Sequence, residues 1–384
     1  MLNPFLIVSI SLCLYEIISL IMPLKASMWL KILGALILFT GLGKSMLYHR
    51  TATGFALYNV PYFVEFFITV IYNFIIVTLF MLLIKDVIFI AWKIFARHVN
   101  FPGHQASLFV FSLSLCATLY GTYQGLRIPD VNKHDIYISN LGPGLDGIKI
   151  AMLVDIHADQ ITDSKFVEAV VNKTNALSPD VILIPGDFVD GQVKDRFSDI
   201  EPLKNLRATF GVYGVTGNHE YYSDYNGWLK EFKNFGIRIL ENEHVVIKSG
   251  DSKLIVAGLP DSTGGRMGMT APDLQKALES APDDSPVILM EHKPTSAPEN
   301  AAINKNIFLQ VSGHTHGGQM PGLYTLVKRA NRGFVRGWYE VSSMKLYVSP
   351  GTSQWNGFAL RLFDPSEITL FTLHSVEQPA KSPD

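Results

Sequence analysis

The charged residues of this chain are distributed very unevenly, and this divides the sequence into two unlike parts. Residues 1–126 contain only ten of the 66 charged residues, seven basic and three acidic, whereas the remaining 258 residues contain 56. The second part thus approaches the charged fraction of an ordinary soluble protein, about 25%, while the first does not. The sequence predicts an apolar helical region followed by a soluble region.

Four apolar stretches in the first part predict a membrane-embedded helical bundle. A helix needs about 20 apolar residues to cross the hydrocarbon core. The second stretch is weaker, because Lys31 and Lys44 leave twelve uncharged residues between them. Buried core helices and, for the first stretch, a cleaved signal peptide are the alternatives; the absence of a basic segment before the first stretch favours a retained span. The predicted spans are 5–22, 28–47, 66–84 and 105–126.

The four spans predict a multi-pass cell-membrane protein with both termini on one side. Basic residues flank the spans equally on the two sides, so the positive-inside rule leaves the side of the soluble domain open. Glu16 lies within the first span, where a carboxylate is either functional or neutralised among the helices. Asn73 is the other notable polar residue of the spans.

The second part contains short apolar runs, each followed by polar residues that can bind metals. The runs are five to seven residues long, as buried strands are. A segment with helical spacing, residues 163–178, separates the first two runs and predicts a βαβ crossover. The predicted strands are 148–154, 180–185, 210–216, 286–290 and 307–311.

The residues that follow these strands predict a metal site. If the strands lie side by side, their carboxyl ends meet at one edge, where open α/β sheets bind ligands. Oxygen and nitrogen ligands without thiolates suit Mn, Fe, Zn or Mg, and both cysteines lie in the first part. There are more ligands than one ion needs, which favours two divalent ions and phosphoryl-transfer chemistry. The candidate ligands are Asp155, His157, Asp187, Asn218, His292, His314 and His316.

The order of these motifs resembles the calcineurin-like metallophosphoesterase superfamily. Between Asp155 and Gly318 the sequence reads D-x-H, G-D, G-N-H-E, a single histidine and then G-H-T-H-G-G. The similarity covers about 148–373, and its C-terminal motifs resemble those of the membrane-anchored branch with N-terminal transmembrane helices. It implies an α/β protein in which a transmembrane helical bundle precedes a four-layer α/β/β/α sandwich.

The resemblance also implies roles for individual residues. One ion would be held by Asp155, His157, Asp187 and His316, and the other by Asp187, Asn218, His292 and His314. Asp187 would therefore bridge the ions, and a hydroxide between them would attack phosphorus. His219 would lie beside the leaving group, where an imidazole can act as a general acid.

Four further residues have two alternative roles each. Asp190 and Glu220 either orient ligand histidines or belong to a solvated turn or helix cap. Arg266 and Arg361 either bind the phosphate or are surface charges. The protein phosphatases of the superfamily have V-D-R-G after G-D, whereas this chain has Val189-Asp190-Gly191-Gln192. The missing arginine argues against a phosphoprotein substrate.

These features predict a membrane-anchored hydrolase of a phosphomonoester or phosphodiester, and the apolar first part suggests a lipid-linked or envelope-derived substrate. The expected partners are the bilayer and the substrate; the net charge of the second part, −6, does not favour nucleic acid. A sensor or transporter with a regulatory phosphoesterase-like domain, and an inactive relative, are the alternatives. The predicted domains are transmembrane helices at 1–126, a linker and first strand at 127–147, the phosphoesterase domain at 148–374 and a disordered tail at 375–384.

Overall fold

The chain forms two compact units. The computed structural model describes residues 4–49, 60–96, 98–304, 306–355 and 358–376. The helical unit comprises Met1–Leu126 together with Gly357–Leu362, and the sandwich unit comprises Arg127–Asn356 and Phe363–Asp384. The change at Leu126 coincides with the change in charge density. The second segment of the helical unit has no counterpart in the sequence prediction. Most of the predicted tail lies outside the described residues.

Within the part of the chain that the structure describes, the helical unit contains four α-helices. Within the described residues, two of them, Tyr62–Phe95 and Gly103–Leu126, are long and apolar enough to cross a membrane. The first two predicted spans contain shorter apolar segments, Ile10–Ile21 and Met28–Gly41, so the four-span topology stays a prediction. The helices are α1 (Pro4–Glu16), α2 (Met28–His49), α3 (Tyr62–Phe95) and α4 (Gly103–Leu126), and a π-helical turn, Ile17–Ile21, follows α1.

The helical unit buries more polar groups than the sequence suggested. Glu16 is fully buried, and neither of its carboxylate oxygens has a hydrogen-bond partner among the described residues. Asp86, in the C-terminal half of α3, accepts hydrogen bonds from Tyr15 Oη at 2.6 Å and Ser19 Oγ at 3.0 Å. Lys85 donates to Ser19 Oγ at 2.8 Å. These bonds explain how α3 continues past the charged pair that ends its predicted apolar run, because each charge has polar partners.

The sandwich unit consists of two six-stranded sheets, which confirms the predicted four-layer α/β/β/α fold. The first sheet has the order β1, β12, β2, β3, β4, β5 and the second has the order β10, β11, β9, β8, β7, β6. In the first sheet only β12 and β2 pair antiparallel; in the second, β10 with β11 and β6 with β7 do so. The strands of the first sheet are β1 (Asp130–Ile138), β2 (Ile148–Met152), β3 (Val181–Pro185), β4 (Val212–Val215), β5 (Ile237–Ile239) and β12 (Glu367–Ser375). Those of the second are β6 (Glu243–Ser249), β7 (Ser252–Gly258), β8 (Val287–Met290), β9 (Ile307–Ser312), β10 (Gly337–Val341) and β11 (Met344–Val348).

Helices cover the outer face of each sheet. The longest of these, α5, begins after its N-cap Asp163, whose side chain accepts hydrogen bonds from the backbone N–H groups of Lys165 and Phe166. Its buried residues recur at helical spacing and face the first sheet, which confirms the predicted β2–α5–β3 crossover. The helices of this unit are α5 (Ser164–Asn175), α6 (Val193–Ile200), α7 (Asn218–Tyr222), α8 (Tyr225–Asn234), α9 (Ser262–Arg266), α10 (Leu274–Ala277), α11 (Ala297–Ile303) and α12 (Pro321–Ala330).

Successive side chains of each strand point to opposite faces of the sheet, and this produces three apolar layers. In β2, Ile150 and Met152 pack between the two sheets, whereas Ala151 packs against the helices on the outer face. A third cluster lies between the second sheet and its helices, around Leu289 and Ala297. Both sheets are thus buried on both faces, as their continuous apolar runs require.

The five predicted strands do not all belong to one sheet. This corrects the expectation that they lie side by side with their carboxyl ends at one edge. β2, β3 and β4 lie in the first sheet, while β8 and β9 lie in the second. The ends of the two sheets nevertheless meet: the His292 ring, after β8, is 2.9 Å from the carbonyl oxygen of Pro185 in β3. The site therefore lies where the two sheets face each other.

Candidate metal centre

Most of the candidate ligands have an unusual backbone conformation. Five of the seven, Asp155, His157, Asp187, His314 and His316, have φ between 44° and 71°. Residues other than glycine seldom adopt this left-handed region, which costs about 1–3 kcal/mol per residue and is concentrated at functional sites. The conformation turns the chain sharply at each strand end.

Asp187 is the centre of the cluster. Its Oδ2 atom lies 3.1 Å from His292 Nε2, 3.5 Å from His157 Nε2 and 4.0 Å from His219 Nε2. Its Oδ1 atom accepts a hydrogen bond from the backbone N–H of His219 at 2.9 Å. One carboxylate thus faces histidines from both sheets, which is the position that a bridging ligand needs.

The remaining candidates lie on either side of Asp187. On one side, His157 Nε2 and His316 Nε2 are 3.1 Å apart, and His316 Nε2 is 4.0 Å from Asp155 Oδ1. On the other side, Asp187, His292 and His314 bring their ligand atoms within 4.8 Å of one another. The structure brings six of the seven candidate ligands together around Asp187, and the seventh, Asn218, is buried at the start of α7 next to His219.

Two ligand histidines have their second ring nitrogen held by an acceptor. His157 Nδ1 is 3.1 Å from Asp190 Oδ1, and His292 Nδ1 is 2.9 Å from the carbonyl oxygen of Pro185. A ring N–H donated to such an acceptor fixes the tautomer and turns Nε2 towards an ion. Asp190 contacts the second ring nitrogen of His157, and its orienting role stays a prediction.

The chemistry of this donor set fits divalent ions. Asn218 Oδ1 is buried and has no hydrogen-bond partner among the described residues, and such a group costs free energy unless something binds it. The Nε2 atoms of His157 and His316 face each other at 3.1 Å. Two ligands bound about 2.1 Å from a common ion stand about 3 Å apart. The unpaired amide oxygen and the facing imidazole nitrogens are both expected where ligand atoms point towards a cation.

The electrostatics of the cluster also favour positive charge. Burial opposes protonation of His157, but the carboxylates of Asp190, Asp187 and Asp155 outweigh it and raise its pKa to about 10. Burial likewise opposes charge on His292, and Asp187 with Asp155 raises its pKa to about 9. The carboxylates thus attract protons in the metal-free protein, and a cation would replace those protons.

His219 is paired with Asp190. Its Nδ1 atom lies 2.5 Å from Asp190 Oδ1. Burial opposes protonation of the His219 ring, but Asp187 and Asp190 raise its pKa above the usual value. His219 also belongs to a group with His157 and Asp187 whose atoms can hold an ion, so the geometry alone leaves two roles for it.

Glu220 joins the ends of β3 and β4. Its carboxylate accepts backbone N–H groups from Phe188 at 2.8 Å and from Gly217 at 2.7 Å. A Cβ atom on Gly217 would lie 2.1 Å from Asp187 Oδ1, so only glycine fits there. Glu220 therefore supports the backbone around Asp187, and it contacts no ligand histidine through a described hydrogen bond.

The two candidate phosphate-binding arginines belong to different units of the chain. Arg266 is exposed on α9 and donates to Thr263 Oγ1 at 2.9 Å. Arg361 is buried and belongs to the helical unit, where its backbone N–H donates to the Gly121 carbonyl at 2.9 Å. The Thr263 hydroxyl that Arg266 contacts also lies 3.0 Å from the side-chain nitrogen of Lys293, the residue after the candidate ligand His292. Phosphate binding by Arg266 and Arg361 stays a prediction.

Several residues around the cluster were not predicted. Thr352 Oγ1 accepts the backbone N–H of Val154 at 3.0 Å, next to Asp155. The Trp355 ring lies 6.4 Å from the His316 ring and is 46% exposed, and the Tyr222 ring lies 5.6 Å from that of His219. Tyr222 closely follows G-N-H-E, so its position in the sequence is a usable signal, whereas Trp355 follows no metal-binding motif.

We expect metal binding to release protons at neutral pH. His157 and His292, with pKa values of about 10 and 9, hold protons in the metal-free protein and must lose them to become ligands, so affinity should rise with pH up to these values. Calorimetric titration of Mn²⁺ at pH 7 in two buffers of different protonation enthalpy should show about two protons released. Identical apparent enthalpies in the two buffers would contradict this expectation.

Comparisons with known proteins agree with the geometry. The profile of the family described as calcineurin-like phosphoesterase matches residues 148–318. An uncharacterised metallophosphoesterase of Campylobacter jejuni is 33% identical over 321 residues, which are 83% of this chain and 80% of that protein. A Danio rerio protein named as a transmembrane protein with metallophosphoesterase domain is 33% identical over 276 residues, 69% of this chain. A putative metallophosphoesterase of Caenorhabditis elegans is 34% identical over 77% of this chain. This chain spans 62% of the Danio rerio relative and 64% of the Caenorhabditis elegans relative.

Proposed function

The chain belongs to the calcineurin-like phosphoesterase family, and on that basis we propose that it is a metal-dependent phosphoric ester hydrolase attached to a membrane. The observation that carries this proposal is the position of Asp187, whose Oδ2 atom faces three histidine Nε2 atoms within 4.0 Å. Asp155, His157, Asp187 and His316 would hold one ion, and Asp187, Asn218, His292 and His314 the other.

Two divalent ions bound there would lower the pKa of a water molecule towards neutrality and offset negative charge on a phosphoryl group. The residues of the chain position these charges. Asp190 and the Pro185 carbonyl orient His157 and His292 through their Nδ1 atoms. Asn218 contributes a neutral amide oxygen, so the ligand set gains a donor without a further negative charge.

We assign the transfer of a proton to His219. Asp190 holds its Nδ1 atom at 2.5 Å, so Nε2 is the atom that can donate to a leaving oxygen. The carboxylates of Asp187 and Asp190 outweigh burial and raise the pKa of His219, which favours the protonated ring that a general acid needs. The Asp190–His219 pair thus supplies the proton while the ligands hold the ions.

The surroundings of the cluster favour a substrate with an apolar part. Trp355 and Tyr222 place aromatic rings beside His316 and His219, and such rings contribute large apolar contact areas. The helical unit supplies two helices of membrane-spanning length, and the Danio rerio relative is named a transmembrane protein. These features support a lipid-linked phosphoester, and the absence of an arginine at position 191 supports a substrate other than a phosphoprotein.

We expect the full-length protein to prefer a phosphoester held in a bilayer. In phospholipid vesicles, hydrolysis of a long-chain lipid phosphoester should exceed hydrolysis of its water-soluble short-chain analogue by about tenfold or more, because the shared membrane raises the local substrate concentration. The same comparison in detergent solution is the control, since dilution into micelles removes the shared surface. Equal rates on both esters in vesicles would refute the lipid-linked assignment and leave a soluble substrate.

A further inference from the structure

Helix α12, in the sandwich unit, leaves its apolar side chains uncovered. None of its ten residues is buried, and Leu326 is 58% exposed. Helix α8, which is also ten residues long, buries Trp228 and Phe232 in the core. A helix with apolar residues at helical spacing normally buries that face. The apolar residues of α12 are Leu323, Tyr324, Leu326 and Val327.

Helix α12 packs against the loop that carries the candidate ligand His316. A Cβ atom on Gly318 would lie 2.8 Å from the Cα atom of Tyr324, so the helix approaches the loop this closely because position 318 is glycine. The Trp355 ring, 46% exposed, lies beside the same loop, with its centroid 6.4 Å from that of the His316 ring. A partner that covers α12 would therefore lie next to the candidate metal centre.

The segment around α12 is basic, although the soluble part of the chain is acidic. Residues 319–339 contain four basic and no acidic residues, whereas residues 127–384 carry a net charge of −6. Two of the four are paired, Arg332 with Glu299 at 2.7 Å and Arg336 with Asp364.

The other two basic residues, Lys328 and Arg329, lie in the last turn of α12. Both are exposed, and neither has an ion pair among the residues that the structure describes. Cations at a helix C-terminus interact favourably with the helix dipole. The dipole does not account for the exposed apolar side chains beside them, so the two features together indicate a binding surface.

These features fit a helix that lies in the surface of an anionic bilayer. Such helices bury their apolar side chains about 5–10 Å into the boundary between headgroups and acyl chains, while lysine and arginine contact anionic headgroups. Tryptophan is enriched at the same depth. Ten residues are too few to cross a bilayer, which takes about 20, so α12 can lie on the surface but cannot span it.

We propose that α12 docks the sandwich unit on an anionic phospholipid surface through Leu323, Leu326, Lys328 and Arg329. Docking at α12 would bring the loop of His316 close to the headgroups, where the phosphoester of a lipid lies. That consequence for the substrate rests on the proposed function, whereas the docking contact itself does not. Every residue involved belongs to the sandwich unit.

The test places a fluorescent label on α12 in the full-length protein. The two cysteines are replaced by Cys13→Ala and Cys116→Ser, and Leu326→Cys is labelled with a dye whose emission depends on polarity. The protein is reconstituted into vesicles of phosphatidylcholine alone or of phosphatidylcholine with phosphatidylglycerol, each with and without brominated acyl chains that quench the dye. The readout needs no substrate, so a protein without hydrolase activity gives the same information.

We expect blue-shifted emission and quenching by brominated lipid in the vesicles that contain phosphatidylglycerol. Lys328→Gln combined with Arg329→Gln should lower the ratio of docked to undocked α12 by about 25-fold, because each basic residue near an anionic surface contributes about fivefold. Raising the ionic strength should also reduce the quenching, because salt screens the attraction between exposed charges.

Two matched controls come from other helices of the sandwich unit. Lys230→Gln combined with Lys233→Gln removes two exposed cations from α8 and should leave the quenching of the label at position 326 unchanged. A label attached through Glu168→Cys, at an exposed position of α5, should stay unquenched in both kinds of vesicle.

The proposal is overturned if the label at position 326 is not quenched in vesicles with phosphatidylglycerol, or is quenched equally in phosphatidylcholine alone. It is also overturned if the emission in detergent solution shifts with protein concentration, which would assign the face to a second copy of the chain. If the cysteine replacements prevent folding, hydrogen exchange of residues 321–330 in the wild-type protein decides instead. Slower exchange in the phosphatidylglycerol vesicles supports docking, and equal exchange in both kinds of vesicle contradicts it.

Discussion

Replacing Asp187 by asparagine should reduce bound metal from about two ions per chain towards one or none and lower turnover by at least about 10³-fold. The Oδ2 atom of Asp187 faces His292 and His157 at 3.1 and 3.5 Å, and an asparagine amide cannot bridge two cations as a carboxylate does. The expected loss of rate corresponds to several kcal/mol of lost charge stabilisation in the transition state. Elemental analysis of the purified variant measures the first effect, and hydrolysis of a chromogenic ester measures the second.

The matched control is Asp180→Asn, at the opposite end of the same strand. Asp180 accepts the backbone N–H of Lys149 at 2.9 Å and contacts none of the candidate ligands through a described bond. That variant should retain both ions and its activity. Unchanged metal content in Asp187→Asn would show that the residue is not a bridging ligand.

Replacing His219 by alanine should keep both ions and lower the rate by about 10²–10⁴-fold on esters with poor leaving groups. An alkyl phosphoester needs a proton on its departing oxygen, so the rate on this ester should fall the most. The leaving group of a p-nitrophenyl ester departs as a stable phenolate without a proton, so the rate on this ester should fall the least. His244→Ala is the control, because His244, on β6, contacts the Ala277 carbonyl and is not grouped with the candidate ligands.

This comparison also decides between the roles that the geometry leaves for His219. If His219 is a metal ligand, as its place beside His157 and Asp187 allows, the variant should lose metal and its hydrolysis rate should fall on both esters. If His219 only packs beneath the ions, the variant should retain the ions and its hydrolysis rate should fall equally on both esters. Only a leaving-group-dependent loss in the metal-replete variant agrees with the acid role.

The strands and candidate ligands were predictable from the sequence because their physical signals are local. A buried strand such as Val181–Pro185 appears as an uninterrupted apolar run, and the polar residue that soon follows it, Asp187, stands out directly. Once β2 and β3 run parallel, their carboxyl ends must lie together. Short-range patterns therefore specified which residues would meet, although not in which sheet each strand lies.

The features that escaped prediction depend on distant contacts or on backbone atoms. The assignment of β8 and β9 to a second sheet follows from packing between layers, which no single run of sequence encodes. The Pro185 carbonyl that orients His292 has no side-chain signal. Arg361 looked like a surface cation or a phosphate ligand in the sequence, yet its segment is buried against α3 and α4, which lie far from it along the chain.

The metal dependence of hydrolysis by the full-length protein tests the central claim most directly. Protein stripped with a chelator should not hydrolyse bis-p-nitrophenyl phosphate, and activity should return with added Mn²⁺ until about two ions are bound per chain. Asp187→Asn, prepared in parallel, measures any contaminating activity. Hydrolysis that survives removal of the ions, or a protein that binds two ions and hydrolyses neither phosphomonoesters nor phosphodiesters, would contradict the account.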